Sequence, residues 1–194
     1  GLEFVSLWFA LSKLGAVVML IDPGMGRKNL LHCIEEISPE ALISVPAVHY
    51  LTKVFKKPFR NVRTRISTDH ALFQKALTLS DIRIDRGPFR NIEVSEEDTS
   101  AIVFTTGSTG IPKGVVYTNK TQNSQLDVIE SAFSLSHDDV SFPAFLPFSI
   151  FSVALGHTSI MPSYDPRKPG SVCEKTIYNL IEKHRPTYSF GSPA

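Results

Sequence analysis

The spacing of apolar residues along this chain changes several times, and each change marks an element. Phe4, Leu7, Trp8, Leu11 and Leu14 recur at three and four residues, which predicts an amphipathic helix with Trp8 in the core. Gly15 is a natural stop for it. Ala16 to Ile21 is short and continuously apolar, as in a strand covered on both faces. Asp22-Pro23-Gly24 is turn chemistry. Leu30, Leu31, Ile34 and Ile37 make a second helix, ended before Pro39; Ala41 to Val45 is a strand and Ala47 to Phe55 a short helix. Strands alternating with helices imply an α/β fold, a parallel sheet with right-handed crossovers.

Residues 56–98 are less regular. Asp69 to Ser80 is predicted as helix, and Ser95-Glu96-Glu97-Asp98 as a solvated acidic turn. Ala101-Ile102-Val103-Phe104 reads as a buried strand, and Val115-Val116-Tyr117 as a second apolar run. Gln122 to Phe133 has helical spacing, with Asn119 or Thr121 as candidate cap. Ser136-His137-Asp138-Asp139 is a turn, and Phe142 to Ile160 is poor in polar residues and rich in Phe and Pro. Cys173 to His184 is a helix with Ile177, Leu180 and Ile181 inward, and Pro186 to Phe190 opens another strand.

Composition narrows the classes. With 194 residues, 42% hydrophobic and 20% charged, the chain can bury a core as one domain or large subdomain. A net charge of +1 favours neither nucleic acid nor an acidic surface. Lys56-Lys57-Pro58-Phe59-Arg60, with Arg63 and Arg65, is a local basic cluster, read as a solvated loop and edge strand, not a nucleic-acid site. No 18-residue apolar run exists, so no membrane span is expected. Cys33 and Cys173 read as two buried thiols of a reducing cytosol. The six histidines show no metal spacing; His32 and Cys33, being adjacent, do not share a helix face.

The candidate chemistry sits between the two apolar runs, in Thr105-Thr106-Gly107-Ser108-Thr109-Gly110-Ile111-Pro112-Lys113-Gly114. Glycines let a backbone approach a ligand and adopt positive φ. Consecutive N–H groups in such a turn form an anion-binding concavity. The hydroxyls of Thr105, Thr106, Ser108 and Thr109 add donors, and Lys113 a compact positive charge. The whole suits a polyphosphate. It is not the Gly-x-x-x-x-Gly-Lys-Ser/Thr loop, because Gly114 follows the lysine where that motif needs a hydroxyl. Pro112 also biases Ile111 away from helical geometry, so Lys113 is not expected to open a helix. Ser108 and Ser149 are available as nucleophiles for a phosphate-binding hydrolase, but no Gly-x-Ser-x-Gly elbow is present.

The ten residues resemble the signature phosphate loop of adenylate-forming enzymes: acyl-CoA synthetases, nonribosomal-peptide adenylation domains and luciferases. Leu11 to Pro23 resembles the family's Lys-x-Gly-Ala, strand, Asp-Pro segment, and Phe142 to Gly156 sits where the family places its aromatic acyl-pocket motif. Ile160 to Pro169, with Ile21 to Gly26 and Phe190 to Ala194, resembles one branch, the fatty-acyl-AMP-ligase-like enzymes of long-chain olefin biosynthesis that close a β-lactone. Two positions depart from relatives that carry histidine. Thr118-Asn119-Lys120 follows the loop's second strand, and Phe148-Ser149-Ile150-Phe151 occupies the aromatic motif; His157 is not expected to be a replacement.

The resemblance implies an ATP-dependent ligase that joins a fatty-acid-type carboxylate to AMP with release of pyrophosphate, without a covalent enzyme intermediate. CoA, or the acid's own β-hydroxyl, would be the acceptor. Lys113 would be catalytic. Thr105, Thr106, Gly107, Ser108, Thr109, Gly110, Lys113 and Gly114 would hold ATP, with Thr106 toward Mg²⁺. Phe145, Phe148 and Phe151 would line the acyl pocket. Core packing is an equally open reading of the row Phe142, Phe145, Phe148 and Phe151. The family's Tyr-Gly-x-Thr-Glu motif, its ribose-binding Asp and its C-terminal lysine domain are not found in the sequence. Residues 1–194 are therefore expected to be part of an N-terminal AMP-binding domain from a cytoplasmic enzyme. Alone, that part is expected to fold without activity.

Overall fold

Gly15 ends the first helix as its sequence position predicts. The computed structural model describes residues 1–69, 76–83, 87–106, 110, 112–162 and 173–191. In it α1 runs Leu2–Lys13, with Val5 and Trp8 on its buried face. Gly15 has φ +65°. Its N–H meets the Ser12 carbonyl at 3.0 Å, and the Ala16 N–H meets that of Leu11 at 3.0 Å. These two bonds make a Schellman cap, for which glycine carries no Cβ penalty. The strand β1, Val18–Leu20, follows.

The chain folds as two compact units, one of residues 20–90 and 103–115, the other of residues 1–19, 91–102 and 116–194. In the first, α2 (Arg27–Ile37) precedes β2 (Ala41–Ser44), and α3 (Pro46–Val54) crosses over to β3 (Thr64–Ser67). β2 and β3 run parallel, Ala41 opposite Thr64 and Ser44 opposite Ser67. Cys33 and Ile34 form the buried face of α2, and the Cys33 thiol lies 3.7 Å from the Met25 sulfur. α2 ends with Ser38 in the left-handed region just before Pro39. Pro46 opens α3 at its first turn, where no N–H is missed.

The helix expected over Asp69 to Ser80 is not what forms at its far end; residues 70–75 lie outside the described residues. Leu77–Thr78 is a strand, β4, parallel to β3 with Ser67 opposite Thr78. A four-residue helix, α4 (Leu79–Ile82), begins only there. The reason is local: Thr78 Oγ1 accepts the Asp81 N–H at 3.3 Å, while an Asp81 carboxylate oxygen accepts the Thr78 N–H at 2.8 Å. This capping box fixes the start at Leu79.

Two longer strands follow, β5 (Thr99–Thr106) and β6 (Pro112–Thr118), in the sheet order β1-β5-β6. α5 spans Asn119–Phe133. Its cap is Thr118, whose hydroxyl accepts the Thr121 N–H at 3.1 Å, so the helix starts three residues before the predicted Gln122. In the second unit β7 (Val140–Pro143) is the centre of a parallel sheet of order β8-β7-β9, with β8 at Thr158–Ser159 and β9 at Tyr188–Phe190. α6 (Ser149–Ala154) packs on it, burying Ser149, Ile150 and Ser152. α7 (Glu174–His184) is capped by Cys173. That cysteine is exposed, which corrects the expectation of two buried thiols; only Cys33 is buried, and both are free. Among the described residues no helix is long and apolar enough to cross a membrane. The α/β class with parallel strands holds.

Candidate functional site

The loop of glycines and hydroxyls is carried between β5 and β6. Only residues 107–111 join these two neighbours, too short a link for a parallel crossover, so the strands run antiparallel. β5 is rooted by Ala101 and Phe104, both buried. Its end delivers Thr105 to solvent. Gly107, Ser108, Thr109 and Ile111, and the side chain of Thr106, lie outside the described residues. Gly110 has φ +77°, and a Cβ built on it would meet no described residue within 4 Å. The backbone conformation favours glycine there. Lys113 and Gly114 are exposed on β6, and Pro112 is buried. Lys113 thus sits inside a strand and not at a helix start, as Pro112 predicted.

The root of this hairpin is clamped. Ser100 Oγ donates to the Tyr117 carbonyl at 3.0 Å across β5 and β6. The first N–H groups of α5 have no partner within the helix. Those of Asn119 and Lys120 find the Asp98 and Glu96 carbonyls at 3.1 and 2.9 Å. Asn119 Nδ2 donates to the Ser95 carbonyl at 2.8 Å, and Lys120 Nζ meets Glu97 at 3.2 Å. The acidic turn, read from sequence as merely solvated, is the seat of α5. Thr118 serves as cap, and Asn119 and Lys120 as anchors. A cavity of about 270 Å³ lies beside this seat, lined by Ser12, Gly15, Val94, Asp98, Ser100 and Asn119. Among the described residues of the phosphate loop none lines it.

The row of four phenylalanines divides. Phe142 is buried on β7, Phe148 ends a 3-10 turn (Leu146–Phe148), and Phe151 lies half-buried on α6. Strand, turn and helix advance by different angles, so a three-residue interval across them defines no common face. Phe145 and Phe148 do meet, edge to face at 5.4 Å between ring centres. Phe148 also meets Phe190 of β9 at 4.6 Å, and Phe190 meets Phe133 of α5 at 6.5 Å. Phe133 and Phe190 are additions that sequence reasoning missed, since no local signal links positions so far apart. Phe145 and Phe133 are more than half exposed, so this aromatic ridge faces solvent along much of its length.

Ser149 is fully buried, and its hydroxyl donates to the Leu146 carbonyl at 2.5 Å. Ser152 Oγ, also buried, donates to Ser141 Oγ at 3.0 Å. These hydroxyls are packing groups between α6 and β7, and Ser149 is not placed as a nucleophile. His157 is buried, its Nδ1 2.8 Å from the Tyr188 hydroxyl. It pins Tyr188 of β9. Nearby, the Thr187 hydroxyl donates to Asp139 at 2.6 Å, and Ser136 adds its backbone N–H and hydroxyl; together they hold the Asp139 carboxyl below the usual range. Among the described residues no group of three His, Cys, Asp or Glu could hold a metal ion.

A family model described as AMP-binding enzyme matches residues 1–194. The chain is 38% identical, over 99% of its length, to an olefin beta-lactone synthetase of Stenotrophomonas maltophilia, of which it covers 35%. It is 34% identical over the same share to the olefin beta-lactone synthetase of Xanthomonas campestris pv. campestris, again covering 35%. The chain thus spans about a third of the curated relatives it matches. Among solved structures, the anthranilate CoA ligase AuaEII in complex with anthranoyl-AMP superposes with a TM-score of 0.80 at 18% identity, over 97% of this chain and 38% of that one. Apo MbtA of Mycobacterium smegmatis gives 0.78 at 22% identity, over 96% and 36%. At these identities the two structures speak for the fold.

Proposed function

Because the chain belongs to the AMP-binding enzyme family, we propose that it is the phosphate-binding part of a ligase that activates a fatty or β-hydroxy fatty acid as its acyl-adenylate. The acid's carboxylate oxygen attacks the α-phosphorus of ATP, and the bond to pyrophosphate breaks. Several phosphate charges must be held beside another anion, so preorganised donors and cations matter more than a nucleophile. The carrying observation is the turn between β5 and β6, with Thr105 and Lys113 exposed and Gly110 in open, left-handed backbone.

The donor set fits the ligand's chemistry. Lys113 would sit against the β- and γ-phosphates as they leave, the hydroxyls of Thr105, Ser108 and Thr109 would donate to phosphate oxygens, and Gly107, Gly110 and Gly114 would let the backbone approach. Thr106 is the residue of the loop assigned toward Mg²⁺, which when bound neutralises phosphate charge. Phe145, Phe148, Phe133 and Phe190, with half-buried Phe151, would lie along an alkyl chain, each buried CH₂ contributing about 0.8 kcal/mol. Likeness to two olefin beta-lactone synthetases favours closure by the acid's own β-hydroxyl over transfer to CoA. In that closure the hydroxyl oxygen attacks the acyl carbon, AMP leaves, and the proton goes to solvent. We propose the cytoplasm, where ATP is abundant, as the place of the reaction.

Calorimetric titration of Mg-ATP into the 194-residue chain, with Lys113→Ala beside it, tests the reading. Saturable binding is expected, weakened roughly 10- to 100-fold by the substitution, as for loss of a hydrogen bond to a charged group. No binding by a folded chain, or equal binding by the variant, overturns the assigned role of the loop. Exchange of labelled pyrophosphate into ATP, dependent on a long-chain 3-hydroxy acid, is expected of a protein extended through the C-terminal lysine domain. The isolated chain is expected to show none.

A further inference from the structure

α3 is turned inside out. Its buried residues are His49 and Thr52, while its apolar Tyr50 and Val54 are 42% and 73% exposed. Positions 47, 50 and 54 follow helical spacing, so exposed Ala47, Tyr50 and Val54 share one stripe. The polar pair is held inward: His49 Nε2 lies 3.1 Å from the Ile66 carbonyl of β3, and Thr52 Oγ1 donates to the His49 carbonyl at 2.8 Å. A surface helix ordinarily shows the reverse arrangement.

Cations lie beside the stripe and follow it along the chain. Lys53 lies over the Tyr50 ring, 5.7 Å from its centre. Arg27 of α2 lies over Phe55 at 5.8 Å, just after the helix. Lys57 pairs with Glu35 of α2. The Lys57 hydrogen bond, then the charges of Lys57 and Arg60, hold the Glu35 carboxyl below its usual range; the Arg60 N–H lies 3.4 Å from the Lys57 carbonyl. Lys53, Lys56, Lys57 and Arg60 are all exposed. The chain's net charge of +1 conceals an asymmetry. Residues 20–90 with 103–115 carry 13 Lys and Arg against 7 Asp and Glu, a net of +6; the remaining residues carry 7 against 12, a net of −5.

We infer that the Ala47-Tyr50-Val54 stripe, with Lys53 over Tyr50 and the exposed Lys56, Lys57 and Arg60 that follow the helix, forms a binding face for an anionic lipid bilayer. Tyr50 and Val54 enter the boundary between headgroups and acyl chains, and the cations hold lipid phosphates. An interfacial helix needs this combination of apolar face and basic flank. A nucleic-acid backbone has no use for an outward Val54. Three apolar side chains are also too few for the ~800 Å² per partner of a specific protein interface. The proposal is independent of the reaction argued above.

Flotation of the 194-residue chain with vesicles tests it, comparing pure phosphatidylcholine with a mixture of roughly 30% phosphatidylglycerol at moderate salt. Binding is expected to the anionic vesicles only, and to fall as salt is raised. Each basic residue near an anionic surface contributes about fivefold, so Lys53→Gln with Lys56→Gln weakens binding ~25-fold. Neither lysine is the one paired with Glu35, and a thermal melt checks that the variant folds. Val54→Ser, which leaves charge untouched, weakens binding severalfold. Equal affinity for both vesicle types, no binding to either, or unchanged binding by the lysine variant overturns the inference. So does tighter binding to duplex DNA than to the anionic vesicles, or self-association that Val54→Ser abolishes.

Discussion

Gly110 offers a way to separate backbone conformation from ligand approach. It has φ +77°, and a Cβ there would meet no described residue within 4 Å. Gly110→Ala therefore adds no clash with the described residues; it places an L-residue in the left-handed region, at about 1–2 kcal/mol. For a chain of this size each kcal/mol moves Tm by roughly 2–4 °C, so a fall of about 2–8 °C is expected. Gly87 is the internal control, with φ +85° and equally open surroundings but no place in the loop. Gly87→Ala should lower Tm by a similar amount and leave Mg-ATP affinity unchanged. Gly110→Ala should lower affinity as well, because its methyl group occupies the space through which phosphates reach the backbone. Gly110→Asn, which tolerates this conformation, should recover part of the stability but not the affinity. Scanning calorimetry and isothermal titration on the same preparations read both quantities. If Gly110→Ala binds Mg-ATP as the parent chain does while its Tm falls, the phosphates do not approach this glycine. If its Tm falls by far more than that of Gly87→Ala, the turn is packed and the premise is wrong.

Phe148 meets Phe145 and Phe190 at once, so Phe148→Ala should destabilise by about 2–4 kcal/mol. In a protein extended to turnover it should raise KM for long acids more than for short ones; an equal rise for both would remove the ridge from substrate binding. Tyr188→Phe withdraws the partner at 2.8 Å from buried His157 Nδ1, and urea unfolding should show a loss of ~1–3 kcal/mol. Asp139 has a depressed carboxyl pKa, with the Thr187 hydroxyl as first cause. A depressed folded value stabilises above the ordinary 3.8 and is lost as pH falls through the folded value. Thr187→Val should therefore narrow the stability difference between neutral pH and pH ~3, as read from denaturant midpoints; an unchanged acid limb would refute the assignment.

Where local chemistry decides, the sequence was sufficient. Gly15 and Pro39 each act on their own turn, and the ends of α1 and α2 fall where those residues predict. It was insufficient where two local signals compete. Asp69 to Ser80 has helical composition, but pairing of Leu77–Thr78 with β3 and the Thr78–Asp81 box claim its last residues. α5 starts early for a related reason. Asn119 and Lys120 look like poor helix openers until the carbonyls of Asp98 and Glu96 arrive from some 20 residues upstream to take their N–H groups.

The candidate site divides along the same line. The candidate phosphate loop could be proposed from sequence because its chemistry is contiguous: hydroxyls, glycines and lysine fall within ten residues between two strands. The aromatic ridge could not, because it is assembled across three elements. Phe133 ends α5, Phe190 ends β9, and both reach Phe148 or each other only after β7 and β9 have paired. The basic, apolar face of α3 was hidden differently. Whole-chain charge averages an acidic and a basic unit to +1, and the helical stripe looks like an ordinary core face until His49 and Thr52 are seen beneath it. In each case the missing information is a tertiary pairing that redirects a side chain whose local pattern admits two orientations.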